Sequence, residues 1–340
     1  VLYPKRSPII DTECISYLKR FVIRAGMRIV VTGGAGFVGY NLVLKLIARG
    51  DTVTVVDNMS GGAPALRRNA LLGRRGVPVR TESIFTLKDE LAGVSADALV
   101  HLAGPISVPD SYTNPAKYRE QIAGGTAAVI ETCRALGIPR IAFASTAAVY
   151  GNTPHVPVRE DQLDLSLPRS PYAEAKLAAE DALKKAAREN GLKAAILRLF
   201  NIYGPGQDPV SPYSGVVCKF LERVANKQQP VVHGTGMQTR DMVYVGDVAD
   251  AFIAAITGPA VQELTANIGT GCETTVKELA LTACAIAGVP LEPRYAEARG
   301  GDIVRSCADV GVAREKLGWT AKTALAEGLQ KTLAWYRESV

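Results

Sequence analysis

Histidine is scarce in this chain, with three among 340 residues, and the six cysteines at 14, 133, 218, 272, 284 and 307 form no CxxC pair. No metal-ligand spacing results, so a structural zinc is excluded and no metal site is expected. Most of the cysteines have apolar neighbours and read as small core residues of a protein kept in a reducing compartment, the cytoplasm. No run of about 18 or more apolar residues exists, so no membrane-spanning segment is expected. Residues 1–26 lack the apolar core of a secretory signal. Basic residues exceed acidic ones only mildly, 39 to 33, and are scattered rather than gathered. That distribution argues against nucleic-acid binding and suits an enzyme acting on phosphorylated molecules. Neither internal repeats nor low-complexity stretches occur.

What the chain does have is alternation. "RIVVTG" at 28–33 and "TVTVVD" at 52–57 are short β-branched strands, separated by a helical pattern that ends at Gly50. "ADALVHLAG", "RIAFAST" and "KAAILRLFN" repeat the theme. Alternating β and α elements predict an α/β fold, a doubly wound parallel sheet of Rossmann type with helices on both faces. After residue 204 the segment "YGPGQDPVSPYSG" marks a loop, and the elements beyond it are shorter. The expected organisation is an N-terminal extension at 1–26, a Rossmann domain at 27–204, and a smaller α/β lobe at 205–340 with segments returning to the sheet. Met27 stands directly before the first strand, and the segment ahead of it reads as a loosely attached tail, with a short helix through "ISYLKRFVIRAG" as the alternative expectation.

Directly after the first strand comes "TGGAGFVG", with Gly33, Gly36 and Gly39 spaced GxxGxxG. A dinucleotide needs such glycines for a tight turn, for backbone approach to its pyrophosphate, and for close packing of helix on strand. Asp57 ends the second strand, 18 residues beyond Gly39, where a carboxylate accepts from ribose hydroxyls. Asn58-Met59-Ser60 supplies no base for a 2′-phosphate, so NAD is expected rather than NADP. "PYAEAK" then places Tyr172 and Lys176 on one face of a helix, with Ser170 as its N-cap and Pro171 in its first turn. A free tyrosine has a pKa of about 10, so serving as a base near pH 7 needs about 3 units, roughly 4 kcal/mol. An ammonium one turn away and a positive nicotinamide ring both favour the phenolate. Thr146, at the end of "FAST", is expected to hold the reacting oxygen and pass its proton to Tyr172. Its neighbour Ser145 has no evident role.

Together "TGGAGFVG", Asp57, "HLAG", "STAAVYG", Tyr172-x-x-x-Lys176, "RLFNIYGPGQDP", "TRDMVYVGDVADAF", "NIGTG", "RGGDI" and "LGW" resemble the extended short-chain dehydrogenase/reductases. Within them the pattern is most similar to the NAD-dependent sugar-nucleotide epimerases and dehydratases, from about Met27 to the C-terminus. The resemblance implies a tightly held NAD, a nucleotide-diphosphosugar substrate and a homodimer paired through two helices per subunit. It assigns catalysis to Thr146, Tyr172 and Lys176. Cofactor contacts fall on Gly33, Gly36, Phe37, Val38, Gly39, Asp57, Asn58, Ser60, Gly62, Ile84, Leu102 and Ala103, besides Tyr172 and Lys176. Substrate contacts fall on Ser107, Thr146, Asn201, Val217, His233, Arg240, Arg299, Asp302 and Ser306, with the two arginines clamping the diphosphate. The chain departs from the pattern at Ser83-Ile84, where the family often has Asp before an apolar residue. It departs again in "EQIAGGT", which lacks a frequent asparagine before the Gly-Thr pair.

A 4-keto sugar made by hydride transfer to NAD has several fates. Dehydratases of this family resemble Thr-Asp-Glu at the strand end and decarboxylating synthases Ser-Glu. This chain has Thr146-Ala147-Ala148, and alanine moves no proton. The reaction that remains is inversion of C4, expected on a UDP-hexose such as UDP-glucose or UDP-galactose. Ser306 resembles the position beside the C2 substituent, and its small side chain implies room for UDP-GlcNAc and UDP-GalNAc. UDP-glucuronate epimerisation, another sugar-nucleotide epimerase or 4,6-dehydratase reaction, and a non-catalytic NAD-binding sensor stay open.

Overall fold

The β-branched runs of the first 200 residues are buried on both faces, which requires helices on either side of the sheet they form. The computed structural model describes residues 26–208, 215–258, 262–288, 292–298 and 303–339. The helix expected within the N-terminal extension, Arg299 and Asp302 lie outside the described residues.

The strands are β1 (Arg28–Thr32), β2 (Thr52–Val56), β3 (Val79–Arg80), β4 (Ala98–His101), β5 (Arg140–Thr146), β6 (Lys193–Leu199), β7 (Asn201–Tyr203), β8 (Val231–His233), β9 (Thr239–Arg240), β10 (Met242–Tyr244), β11 (Glu263–Ile268), β12 (Thr274–Thr275) and β13 (Arg294–Ala296). The longer helices are α1 (Phe37–Ala48), α2 (Ala63–Gly73), α3 (Gly125–Leu136), α4 (Pro171–Asn190), α5 (Val216–Ala225), α6 (Val245–Thr257), α7 (Val276–Ala287) and α8 (Leu325–Ser339).

Seven strands form one parallel sheet in the order β11-β6-β5-β4-β1-β2-β3. The chain winds outward from β1 through β2 to β3, then returns to the other side of β1 with β4. The crevice at the carboxyl ends of β1 and β4 is therefore the place where such sheets bind ligands. Leu42, Val43 and Leu46 of α1 pack with Val248 and Phe252 of α6 on one face. On the other face Val129 and Cys133 of α3 pack with Ala175, Ala179 and Leu183 of α4. A separate core joins α5, α7 and α8 through Leu221, Leu279, Ala283, Leu329 and Leu333. Three two-stranded ladders, β7 with β10, β8 with β13 and β9 with β12, stand apart from the seven-stranded sheet. Among the described residues no helix is long and apolar enough to cross a membrane.

Candidate active site

Gly33 leaves β1 at φ +73°, a left-handed conformation that disfavours any side chain. A Cβ there would also stand 2.7 Å from the Ala103 nitrogen, so the turn rests directly on Leu102-Ala103 after β4. At Gly39 a Cβ would collide with the Gly33 carbonyl oxygen, so α1 docks on the turn only without one. The N-terminus of α1 has no side-chain cap and no acidic residue in its first turn, which Phe37 and Val38 open. That is the electrostatic setting a pyrophosphate needs. Asp57 accepts from the Ala35 amide (3.0 Å) and the Met59 amide (2.9 Å), which fixes its carboxylate at the β2 end beside the turn. Asn58 accepts from the Ser60 amide at 3.1 Å, and Gly62, at φ +68°, precedes α2. Ile84 packs where a Cβ on Gly125 would fall. These residues fit a bound NAD.

A basic residue reaches this turn although none stands in Asn58-Met59-Ser60 directly after Asp57. Arg68 of α2 donates to the Ala35 carbonyl (2.6 Å) and to the Gly206 carbonyl (3.0 Å). Burial lowers its pKa, and the charge of Asp57 opposes that shift. Asn41 of α1 donates to the carbonyls of Phe37 and Pro205, both at 3.0 Å. Two side chains beside the glycine turn thus hold the loop that begins the second lobe.

The sheet brings Thr146, Tyr172 and Lys176 together. Ser170 caps α4 as expected, accepting from the Ala173 amide at 3.3 Å, so the helix starts one residue before Tyr172. The Thr146 hydroxyl accepts from the Ala148 amide (3.2 Å) and stands near enough to the Tyr172 phenol to influence its pKa. Lys176 is buried, donates to the Ala144 carbonyl (2.7 Å), and lies 4.6 Å from the Phe143 ring centre. The phenol differs in direction from the expectation. Burial pushes it up to about 12, the nearby Thr146 hydroxyl opposes this, and Tyr118, edge-on at 6.3 Å, adds to the rise. Desolvation outweighs the neighbouring polar groups, so in the protein alone Tyr172 is a neutral phenol. Burial lowers Lys176 to about 8, against the pull of Glu180.

Ser145 also has a partner. Its hydroxyl donates to Glu180 at 2.5 Å, and Arg198 of β6 grips the same carboxylate at 3.0 and 2.7 Å. Arg198 donates further to the Tyr150 hydroxyl (2.9 Å), which donates to Asn267 (2.6 Å). Sequence reasoning missed Glu180 and Arg198. The first stands one turn past Lys176 on the same face, and the second is a lone charge inside the apolar run "AAILRLF".

The substrate-side residues are spread along the rim. Ser107 is buried and caps a short helix by accepting from the Asp110 amide (3.0 Å). Asn201 is exposed at the start of β7. Arg240 donates to the Ile303 carbonyl (2.6 Å), while Asp241 behind it is fully buried and accepts from Thr270, Gly271 and Ala308. Asp241, another residue missed, ties "NIGTG" and the segment after Ser306 to the base of Arg240. His233 is half-buried and bonds the Glu297 carbonyl through Nδ1 at 3.0 Å. The Val217 side chain is buried in the core of the smaller lobe, and Ser306 is half-buried. No group of three or more metal-binding side chains occurs among the described residues.

Residues 29–269 match the NAD dependent epimerase/dehydratase family. The UDP-glucose 4-epimerase of Mycolicibacterium smegmatis is 36% identical over 313 residues, which is 92% of this chain and 99% of that protein. The structure of UDP-glucose 4-epimerase from Thermotoga maritima with UDP-glucose matches at TM-score 0.84 and 37% identity, covering 92% of this chain and 99% of that one. The UDP-N-acetylglucosamine 4-epimerase of Methanobrevibacter ruminantium, in complex with UDP-N-acetylmuramic acid, matches at TM-score 0.85 and 30% identity over the same shares.

Proposed function

The chain belongs to the NAD-dependent epimerase/dehydratase family, and from that premise we propose that it inverts C4 of a UDP-hexose through a transient 4-keto sugar. NAD, when bound, supplies the hydride acceptor and donor and a positive charge beside the phenol. The protein's own groups do the rest. Gly33, Gly36, Gly39, Phe37 and Val38 receive the pyrophosphate, Asp57 the adenosine ribose, and Leu102-Ala103 floors the crevice. Thr146 holds the sugar O4 and hands its proton to Tyr172, which returns it after the ketone has turned over. Lys176 adds positive charge near the phenol and a donor for the cofactor ribose. Arg240, Arg299 and Asn201 take the diphosphate, and His233 faces the base.

The observation that carries this reading is the pair of inert residues after Thr146. Thr146 and Tyr172 are neighbours at the sheet's carboxyl edge, and Ala147 and Ala148 follow Thr146, neither of them an acid or base that could expel water from C6. Incubating the purified protein with UDP-glucose, UDP-galactose and their N-acetylated and uronic counterparts tests it. Interconversion at C4 is expected, and accumulation of a 4-keto-6-deoxy sugar overturns the reading. The small, half-buried Ser306 and the N-acetyl-sugar relative support acceptance of UDP-GlcNAc and UDP-GalNAc. Ser306→Tyr is expected to lower turnover of the N-acetylated pair at least tenfold relative to the hexose pair, and an unchanged ratio removes Ser306 from specificity.

The same reading takes the protein as a cytoplasmic homodimer paired through α3 and α4, supported by the small exposed side chains Ala127 and Ala178 on those helices. Sedimentation at micromolar concentration distinguishes dimer from monomer.

A further inference from the structure

Two consecutive residues at the end of β5 hold α4 residues spaced one turn apart. The Ala144 carbonyl takes Lys176 and the Ser145 hydroxyl takes Glu180, and Thr146, the next residue of β5, stands near Tyr172. Thr146, Tyr172 and Lys176 are accounted for by the chemistry. Ser145 and Glu180 are not, although both are buried and Glu180 is 0% exposed.

A charge withdrawn from water this fully has to be held by several partners. Glu180 has Arg198 on both oxygens, Ser145 on one, and Lys184 at 3.5 Å from the other. Burial alone would raise its pKa, but Arg198, Ser145 and Lys184 outweigh burial and hold it below the ordinary range. The carboxylate is therefore ionised throughout the neutral range, four residues from Lys176. Lys176 needs that negative charge, because its own surroundings oppose the ammonium. From β4 it faces His101, which is buried and neutral, and from β5 the Phe143 ring and the Ala144 carbonyl. On its own helix lie Tyr172, a neutral phenol, and Glu180. Beyond Arg198 are Tyr150, a neutral phenol raised by burial, and Glu160, whose carbonyl Arg198 also bonds. Among the described residues, Glu180 is the ionised group that favours the charged form of Lys176.

We infer that Ser145 and Glu180 are a positioning pair that keeps the Lys176 ammonium charged and seated against the β5 end, and so sets the alkaline limit of the reaction. The kinetic part of this inference rests on the epimerase reading, while the ionisation of Lys176 does not. Ser145 fixes the Glu180 oxygen that Arg198 would otherwise draw toward β6, and it joins the carboxylate to the strand that holds Thr146.

The test compares wild type with Glu180→Gln and Ser145→Ala. NMR of isotope-labelled lysine side chains, with the Lys176 signal assigned by its loss in Lys176→Met, reads the ionisation directly. Turnover and KM are measured across the same pH range. In Glu180→Gln the Lys176 midpoint is expected to fall by about one pH unit, a tenfold change in ionisation. The alkaline limb of kcat is expected to move with it while KM stays within about twofold. Ser145→Ala is expected to shift both in the same direction by less, and Glu180→Asp to restore part of the shift. If Glu180→Gln fails to fold because Arg198 is left unpaired, Ser145→Ala and Glu180→Asp decide the matter. An unchanged Lys176 midpoint in the folded variants overturns the inference. A shifted midpoint in a protein that epimerises no UDP-sugar upholds the pair and defeats the functional reading instead.

Discussion

In the proposed reaction Tyr172 has to become a base in surroundings that raise its pKa to about 12. The distance to neutral pH is then about 5 units, or roughly 7 kcal/mol, rather than the 3 of a free tyrosine. Ammonium, hydroxyl and cofactor charge must act together, and loss of the phenol should be costly. Tyr172→Phe is expected to retain NAD and to lower turnover a hundredfold or more, within the range for one acid–base group. Near-normal turnover would release Tyr172 from the mechanism. The sign of the shift carries a second expectation. Titrating wild type against Tyr172→Phe by ultraviolet difference absorbance should show the phenol ionising at lower pH once NAD is added. Tyr172, Lys176 and the glycine turn were legible in the sequence because spacing alone places i and i+4 on one helix face. Ser145 was not, because its partner Glu180 lies 35 residues on and meets it only when α4 crosses β5.

Among the elements, β4 carries a buried imidazole that adds side-chain bonds to its backbone ladders with β1 and β5. His101 bonds Thr32 of β1 through Nδ1 (2.8 Å) and Thr126 of α3 through Nε2 (3.2 Å). Burial, with a smaller push from Lys176, lowers its pKa from 6.5 to about 3. Above pH 6.5 the ring is neutral whether the chain is folded or unfolded, and its titration contributes nothing to stability. Below that pH the unfolded chain takes up a proton that the fold refuses. Stability then falls by about 1.4 kcal/mol per pH unit until the folded pKa is reached. Urea midpoints measured from pH 7 to about pH 4 should show this slope in wild type and a shallower one in His101→Gln. Equal slopes would assign the acid sensitivity to other groups. The Gly-Thr pair of "EQIAGGT" has here a mechanical meaning, since Thr126 is one of the two holds on that ring. The doubly wound parallel sheet could be anticipated from the β-α alternation, though not its strand order. The short ladders of the smaller lobe could not, because two- and three-residue strands carry too little periodicity to read.

At the scale of the molecule, Asn41 and Arg68 hold the Pro205-Gly206 loop across the glycine turn. These contacts span 164 and 138 residues of sequence, which is why no local pattern announced them. Both fall on backbone carbonyls, so the hold depends on the course of the loop and not on its side chains. This hold is expected to slow the departure of a cofactor lying on the turn. Arg68→Ala removes two hydrogen bonds from a charged donor and is expected to speed NAD loss tenfold or more. Gel filtration followed by assay of retained nucleotide reads this directly, and equal retention would show that the hold does not limit release. The sheet edge has a consequence of another kind. β11, which covers β6, begins at Glu263, while β6 ends at Leu199. A ribosome must therefore synthesise the first part of the smaller lobe, up to residue 262, while the β6 edge of the nascent chain is bare. An unpaired, apolar strand edge is a template for wrong pairing. The vulnerable interval in this protein's life is the translation of residues 200–262, when a chaperone or a quick codon run would matter most.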